Sequence, residues 1–121
     1  MSMIIHQLQQ GTAPWHKFRA EHLTASDASA MLGTSKYKTR TALLHEKKTG
    51  IVPEVTPMMQ SLFDKGHQTE AMARLIVEEK MGDEFFPVTG TSSKRTEIAA
   101  SLDGMTFCES ILFEHKLWNL K

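Results

Sequence analysis

The chain has 121 residues, 40% of them hydrophobic and 23% charged, which suits one globular domain with a modest core. Fourteen basic side chains offset 14 acidic ones, and the formal net charge of zero excludes a protein that coats nucleic acid through bulk positive charge. It does not exclude a nuclease, in which a local basic patch can coexist with an acidic metal site. No apolar run approaches the roughly 20 residues of a membrane span, and no basic segment followed by an apolar one opens the chain. A single cysteine, Cys108, excludes an internal disulfide and fits a reducing cytosol.

Residues 1–14 mix apolar and polar positions and end at Gly11-Thr12-Ala13-Pro14, a loop signal. Trp15, Phe18 and Arg19 follow at helical spacing. Thr24, Ser26 and Asp27 are N-cap types directly before a small-residue helix over 28–32, and Gly33 closes it; Thr24 with Asp27 resembles a capping box. Residues 34–40 form a polar, basic loop, and a second helix is expected over 41–49, stopping at Gly50. Pro53 and Pro57 mark the connection that follows. The longest periodic segment is 58–81, where Met59, Leu62, Phe63, Gly66, Glu70, Ala73, Val77 and Met81 form one stripe expected to face the core. From Phe85 onward the pattern reads strand, turn, strand, turn, strand: one strand ends at the turn signal Asp103-Gly104, and the last covers 111–118. Helices first and a small sheet after them make the expected class α+β, in a single domain over 1–121.

The chemistry gathers near the end of the chain. In a strand, side chains alternate faces, so Glu114 and Lys116 point one way while Phe113, His115 and Leu117 point the other. A carboxylate at the end of one strand, with a carboxylate and an amine on its neighbour, is what a metal-dependent phosphodiesterase needs: hard oxygen ligands for Mg²⁺ or Mn²⁺ and a cation beside the attacking water. Asp103, Glu114 and Lys116 meet that description, Glu70 on the apolar stripe is a third carboxylate, and the backbone carbonyl of His115 could also reach a metal. The plainer reading is an exposed ion pair in a hairpin, with Glu70 tilted to the edge of its stripe. Ser26 at a helix start is suited to an anion, Arg19 lies shortly before it, and Lys36, Lys38 and Arg40 surround Tyr37 in reach of a nucleic-acid backbone. Solvated loop lysines and an N-cap serine are the ordinary alternatives. The histidines show no zinc spacing.

The order W15-x-x-x-R19, L23-T-A-S26-D27-A, G33, G66-x-x-x-E70, S101-x-D103-G104, E114-x-K116 resembles the YqaJ-type viral recombinase exonucleases, relatives of the phage lambda exonuclease among the restriction-endonuclease-like nucleases. The resemblance spans about residues 10–118. It implies a restriction-endonuclease-like core with the N-terminal helices packed on a small, mainly antiparallel sheet. It also implies a double-strand-specific 5′→3′ DNA exonuclease dependent on Mg²⁺ or Mn²⁺ and acting in the bacterial cytoplasm. Its expected partners are DNA ends, a single-strand annealing recombinase and further copies of itself. Asp103 and Glu114 would be the main metal ligands, Glu70 would assist, Lys116 would orient or deprotonate water, and Arg19, Ser26 and Ser101 would grip a terminal 5′ phosphate. The family continues beyond the E-x-K strand with a helix carrying a glutamine and a tyrosine and with further strands, whereas this chain stops five residues after Lys116. The expectation is therefore a C-terminally truncated relative, with a non-catalytic DNA-end binder or regulator of another nuclease as the alternative function.

Overall fold

A computed structural model describes residues 3–52 and 54–117. The chain forms two compact units: Met1–Pro53 with Val88–Ser101, and Glu54–Pro87 with Leu102–Lys121. Helices and one small sheet make it α+β. Strand β1 (Met3–His6) pairs antiparallel with β3 (Phe85–Ser92), Met3 opposite Ser92 and His6 opposite Thr89. Strand β2 (Leu23–Thr24) pairs parallel with β4 (Ile98–Thr106), and β5 (Leu112–Phe113) pairs antiparallel with β4. The strand order is β1-β3-β4-β2, with β5 off that path.

In the first unit, helix α1 (Ala13–Ala20) begins inside what the sequence marks as a loop. Thr12 takes extended backbone as N-cap, and Pro14 sits in the first turn, where its fixed φ and missing N–H cost nothing. The helix lies over the sheet face that carries His6, Thr89, Thr91, Ala99 and Ser101. The rings of Phe18 and His6 are 4.9 Å apart, and Thr89, Thr91 and Ala99 are buried. On the opposite face, a Cβ on Gly90 would fall 2.6 Å from the Met3 side chain, so glycine leaves room for that methionine. The expected capping box is present: Asp27 Oδ2 accepts from the Thr24 N–H (3.1 Å) and the Thr24 hydroxyl (2.7 Å). It organises a 3-10 turn (Ala25–Asp27) that leads into α2 (Ala28–Met31). Helix α3 (Arg40–Thr49) is capped by Thr39, stops at left-handed Gly50 (φ +72°), and buries Leu43.

The second unit is built on α4 (Pro57–Met81), started by the Thr56 cap and ended by Gly82. Its stripe is covered only in part. Glu70 is buried and Gly66, Ala73 and Val77 are half-buried, while Met59, Leu62, Phe63 and Met81 are exposed. Periodicity specifies a helical face; it does not guarantee that something packs on all of it.

Two further sequence expectations change near the end of the chain. Asp103-Gly104 is not a turn, since β4 runs through it to Thr106. Gly104 is needed for close approach instead: a Cβ there would lie 2.9 Å from the Phe85 Cβ and 3.3 Å from the Phe113 ring. The chain reverses over 107–111, where Glu109 adopts φ +60° and the Thr106 hydroxyl accepts the N–H groups of Ser110 and Ile111. The strand expected over 111–118 is reduced to β5; residues 114–117 are irregular, and Trp118 lies outside the described residues. Among the described residues no helix is long and apolar enough to cross a membrane.

Candidate functional site

The second unit brings Glu70 and Asp103 together. Glu70 is 9% exposed, and Arg74, one turn further along α4, donates to its Oε1 at 3.0 Å. The same guanidinium donates to the Asp103 backbone carbonyl through Nη2 (3.0 Å) and Nε (3.2 Å). One arginine therefore ties the helix bearing Glu70 to the strand bearing Asp103. Asp103 Oδ2 accepts the His115 N–H at 2.7 Å, so His115 contributes its amide here. Burial first, then the Asp103 charge and a hydrogen bond between the two side chains, push the Glu70 pKa above its ordinary value. Arg74, and then His67 at 3.6 Å, offset this only in part. A carboxyl pair of this kind, Glu70 buried and Asp103 half-buried, has the oxygen donors and the mutual repulsion that a hard divalent cation relieves.

Glu114 and Lys116 are differently placed. They pair with each other at 3.1 Å, with side chains 52% and 70% exposed, rather than sitting charged inside an apolar strand. Among the described residues no group of three or more His, Cys, Asp or Glu side chains is arranged to hold a metal. The donor chemistry of Glu70 and Asp103 suits Mg²⁺ or Mn²⁺, and Glu114 is not gathered with them.

The first unit assembles a cluster suited to an anion. Arg19 Nη2 donates to Ser26 Oγ at 2.7 Å, and its guanidinium carbon lies 4.6 Å from the centroid of the Trp15 ring. Trp15 Nε1 in turn donates to Ser101 Oγ at 3.0 Å, so the indole links the arginine to the serine on β4. Ser26 Oγ also lies 3.0 Å from the Thr24 hydroxyl, and Ser101 Oγ lies 3.2 Å from that of Thr89. Beneath Ser26, burial opposes ionisation of Asp27, but the Lys47 ammonium and the Thr24 hydroxyl and N–H outweigh it and hold the Asp27 pKa below its ordinary value. The basic loop is less uniform than its composition suggests. Lys38 is paired with Glu46 at 2.7 Å and Arg40 donates to the Met31 carbonyl, whereas Lys36 is exposed and Tyr37 is 98% exposed.

Sequence reasoning missed three contributors. Trp15 was legible as the i, i+4 partner of Arg19, and Arg74 as that of Glu70. Lys47 had no such signal, because its partners lie far away in sequence.

The family model of the YqaJ-like viral recombinase domain matches residues 14–118. No curated protein matches the chain.

Proposed function

Because the chain belongs to the YqaJ-like viral recombinase domain family, we propose that it is a metal-dependent DNA exonuclease, degrading double-stranded DNA 5′→3′ from phosphorylated ends on a restriction-endonuclease-like core. The observation that carries this reading is buried Glu70, tied through Arg74 to the strand bearing half-buried Asp103, with burial and the Asp103 charge raising the Glu70 pKa. When bound, Mg²⁺ or Mn²⁺ supplies the compensating charge and a more acidic water. Glu70 and Asp103 would hold the cation through their carboxyl oxygens, and the His115 carbonyl and Glu114 are the further oxygen donors of this reading. Arg74 keeps Glu70 and Asp103 in register. The Lys116 ammonium would orient water and steady the scissile phosphate. Arg19 would take the terminal phosphate with charge-assisted donors, Ser26 and Ser101 would add hydroxyls, and Lys36, Lys38 and Arg40 would lie along the backbone. Duplex DNA ends are the substrate on this reading, a single-strand annealing recombinase and further copies of the chain are its partners, and the bacterial cytoplasm is its place of action.

One observation favours a second reading, a non-catalytic DNA-end binder or regulator of another nuclease: Glu114 and Lys116 are exposed and paired with each other. A single assay separates the two. Linear duplex with 5′-phosphate ends is incubated with Mg²⁺, Mn²⁺ or EDTA, and binding and degradation are read in parallel. Cation-dependent degradation that disappears in Asp103→Ala supports the exonuclease. End binding without degradation supports the binder, and neither one rejects both.

A further inference from the structure

Lys47 lies on α3, yet its ammonium is spent entirely on other segments of the first unit. It donates to the carbonyls of Arg19 (2.6 Å) and His22 (2.8 Å) and pairs with Asp27 Oδ2 at 2.9 Å. An ammonium has three N–H donors, and here three acceptors take them. The Lys47 and Asp27 side chains are 20% and 13% exposed. The Arg19 carbonyl lies in the last turn of α1 and that of His22 just past its C-cap, and Asp27 closes the capping box of the turn that carries Ser26.

We propose that Lys47 is the positioning residue that fixes Arg19 and Ser26 as one anion-binding pair, by joining the end of α1 to the Ser26 turn through a saturated ammonium. It does not touch the ligand itself, since it has no donor left to offer. Lysine suits this post better than arginine: three acceptors converge on one compact charge, whereas a planar guanidinium would spread its donors over a fork. Preorganisation of this kind shows in selectivity. A phosphate is gripped well only if guanidinium and hydroxyl already stand together, while general attraction to duplex DNA depends on charge alone.

The inference rests on the reading of Arg19 and Ser26 as a 5′-phosphate grip, and the experiment separates the two. Fluorescence anisotropy in EDTA compares duplex oligonucleotides ending in 5′-phosphate or 5′-hydroxyl, for wild type, Arg19→Ala, Lys47→Met and Asp27→Asn. The readout is the ratio of the two affinities, which a general loss of stability would not move. Wild type should prefer phosphate by about tenfold, the scale of one charge-assisted hydrogen bond. Arg19→Ala and Lys47→Met should both lose that preference, because the charge each removes weakens both ends alike while only the phosphate end loses its grip. Asp27→Asn, which keeps an oxygen for Thr24 but not the charge for Lys47, should lose part of it. A folded Lys47→Met that keeps the preference, where Arg19→Ala loses it, overturns the proposal and leaves the phosphate grip standing. If Arg19→Ala also keeps it, both fall. If circular dichroism shows Lys47→Met unfolded, Asp27→Asn decides alone, and an unchanged ratio there overturns the proposal.

Discussion

The two units divide the charge that cancels over the whole chain. The first carries nine Lys and Arg against four Asp and Glu; the second carries five against ten. A net charge of zero thus hides a basic unit that holds the anion cluster and an acidic unit that holds the carboxyl pair. Each also treats a carboxyl differently. In the basic unit Asp27 is surrounded by donors and kept ionised, whereas in the acidic unit Glu70 meets another carboxylate and is pushed toward its protonated form. Net charge is a poor guide to a partner when the charges are sorted by region.

The sharpest way to break the comparison is Asp103→Ala. It should reduce cation-dependent degradation by about three orders of magnitude, the scale on which loss of an essential active-site group is felt, yet leave the 5′-phosphate preference intact. If that preference vanished too, the two sites would not be separable. Lys116→Ala should also abolish degradation but keep any rise in melting temperature that Mg²⁺ or Mn²⁺ produces, because an amine does not ligate the cation.

Stability comes next in size. Gly104→Ala should cost about 1–3 kcal/mol in denaturant unfolding, as overpacking does, since its Cβ would meet Phe85 at 2.9 Å. A neutral result would mean that β4 has slack beside Asp103.

The two acids should then respond to pH with opposite slopes. The Asp27 pKa is lowered by folding, so its contribution is present at neutral pH and is lost as pH falls from the ordinary carboxylate range through the lower folded value. The Glu70 pKa is raised, so the folded state holds that proton longer, and stability is lost as pH rises from the ordinary value through the raised one. Asp27→Asn should flatten the acid limb of a stability profile, and Glu70→Gln, without divalent cation, should stabilise the protein near neutral pH. Matching slopes would erase the contrast between the units. The smallest effect expected is Lys38→Ala, about 0.2–1 kcal/mol for a partly exposed ion pair, measured by thermal melting.

Much of this architecture was legible because it is local. The capping box at Thr24 and Asp27, the glycine stops at Gly33 and Gly50, and the period of α4 depend on neighbours within a turn or two. What failed was non-local. Asp103-Gly104 has the chemistry of a turn, and only the rings of Phe85 and Phe113 reveal why a glycine stands inside a strand. Pro14 looks like a loop residue until a helix is seen to start beside it. Of the candidate site, the family resemblance supplied the residues, whereas the period-two alternation expected for Glu114, His115 and Lys116 does not apply, because residues 114–117 are irregular. Neither could supply the Arg74 bridge, the role of the His115 amide or the threefold use of Lys47, which arise when segments distant in sequence meet.

Gly104 also limits how this protein can change over generations. The atom its missing Cβ would strike is the Cβ of Phe85, which every residue except glycine possesses. Shrinking the ring at 85 would therefore not open a path to a larger residue at 104. Such a path needs either glycine at 85 or a prior shift of the backbone, and a shift there would move the neighbouring Asp103. A lineage that keeps the aspartate in place is held to glycine at the next position by a spacing that no side-chain change short of glycine at 85 can repair.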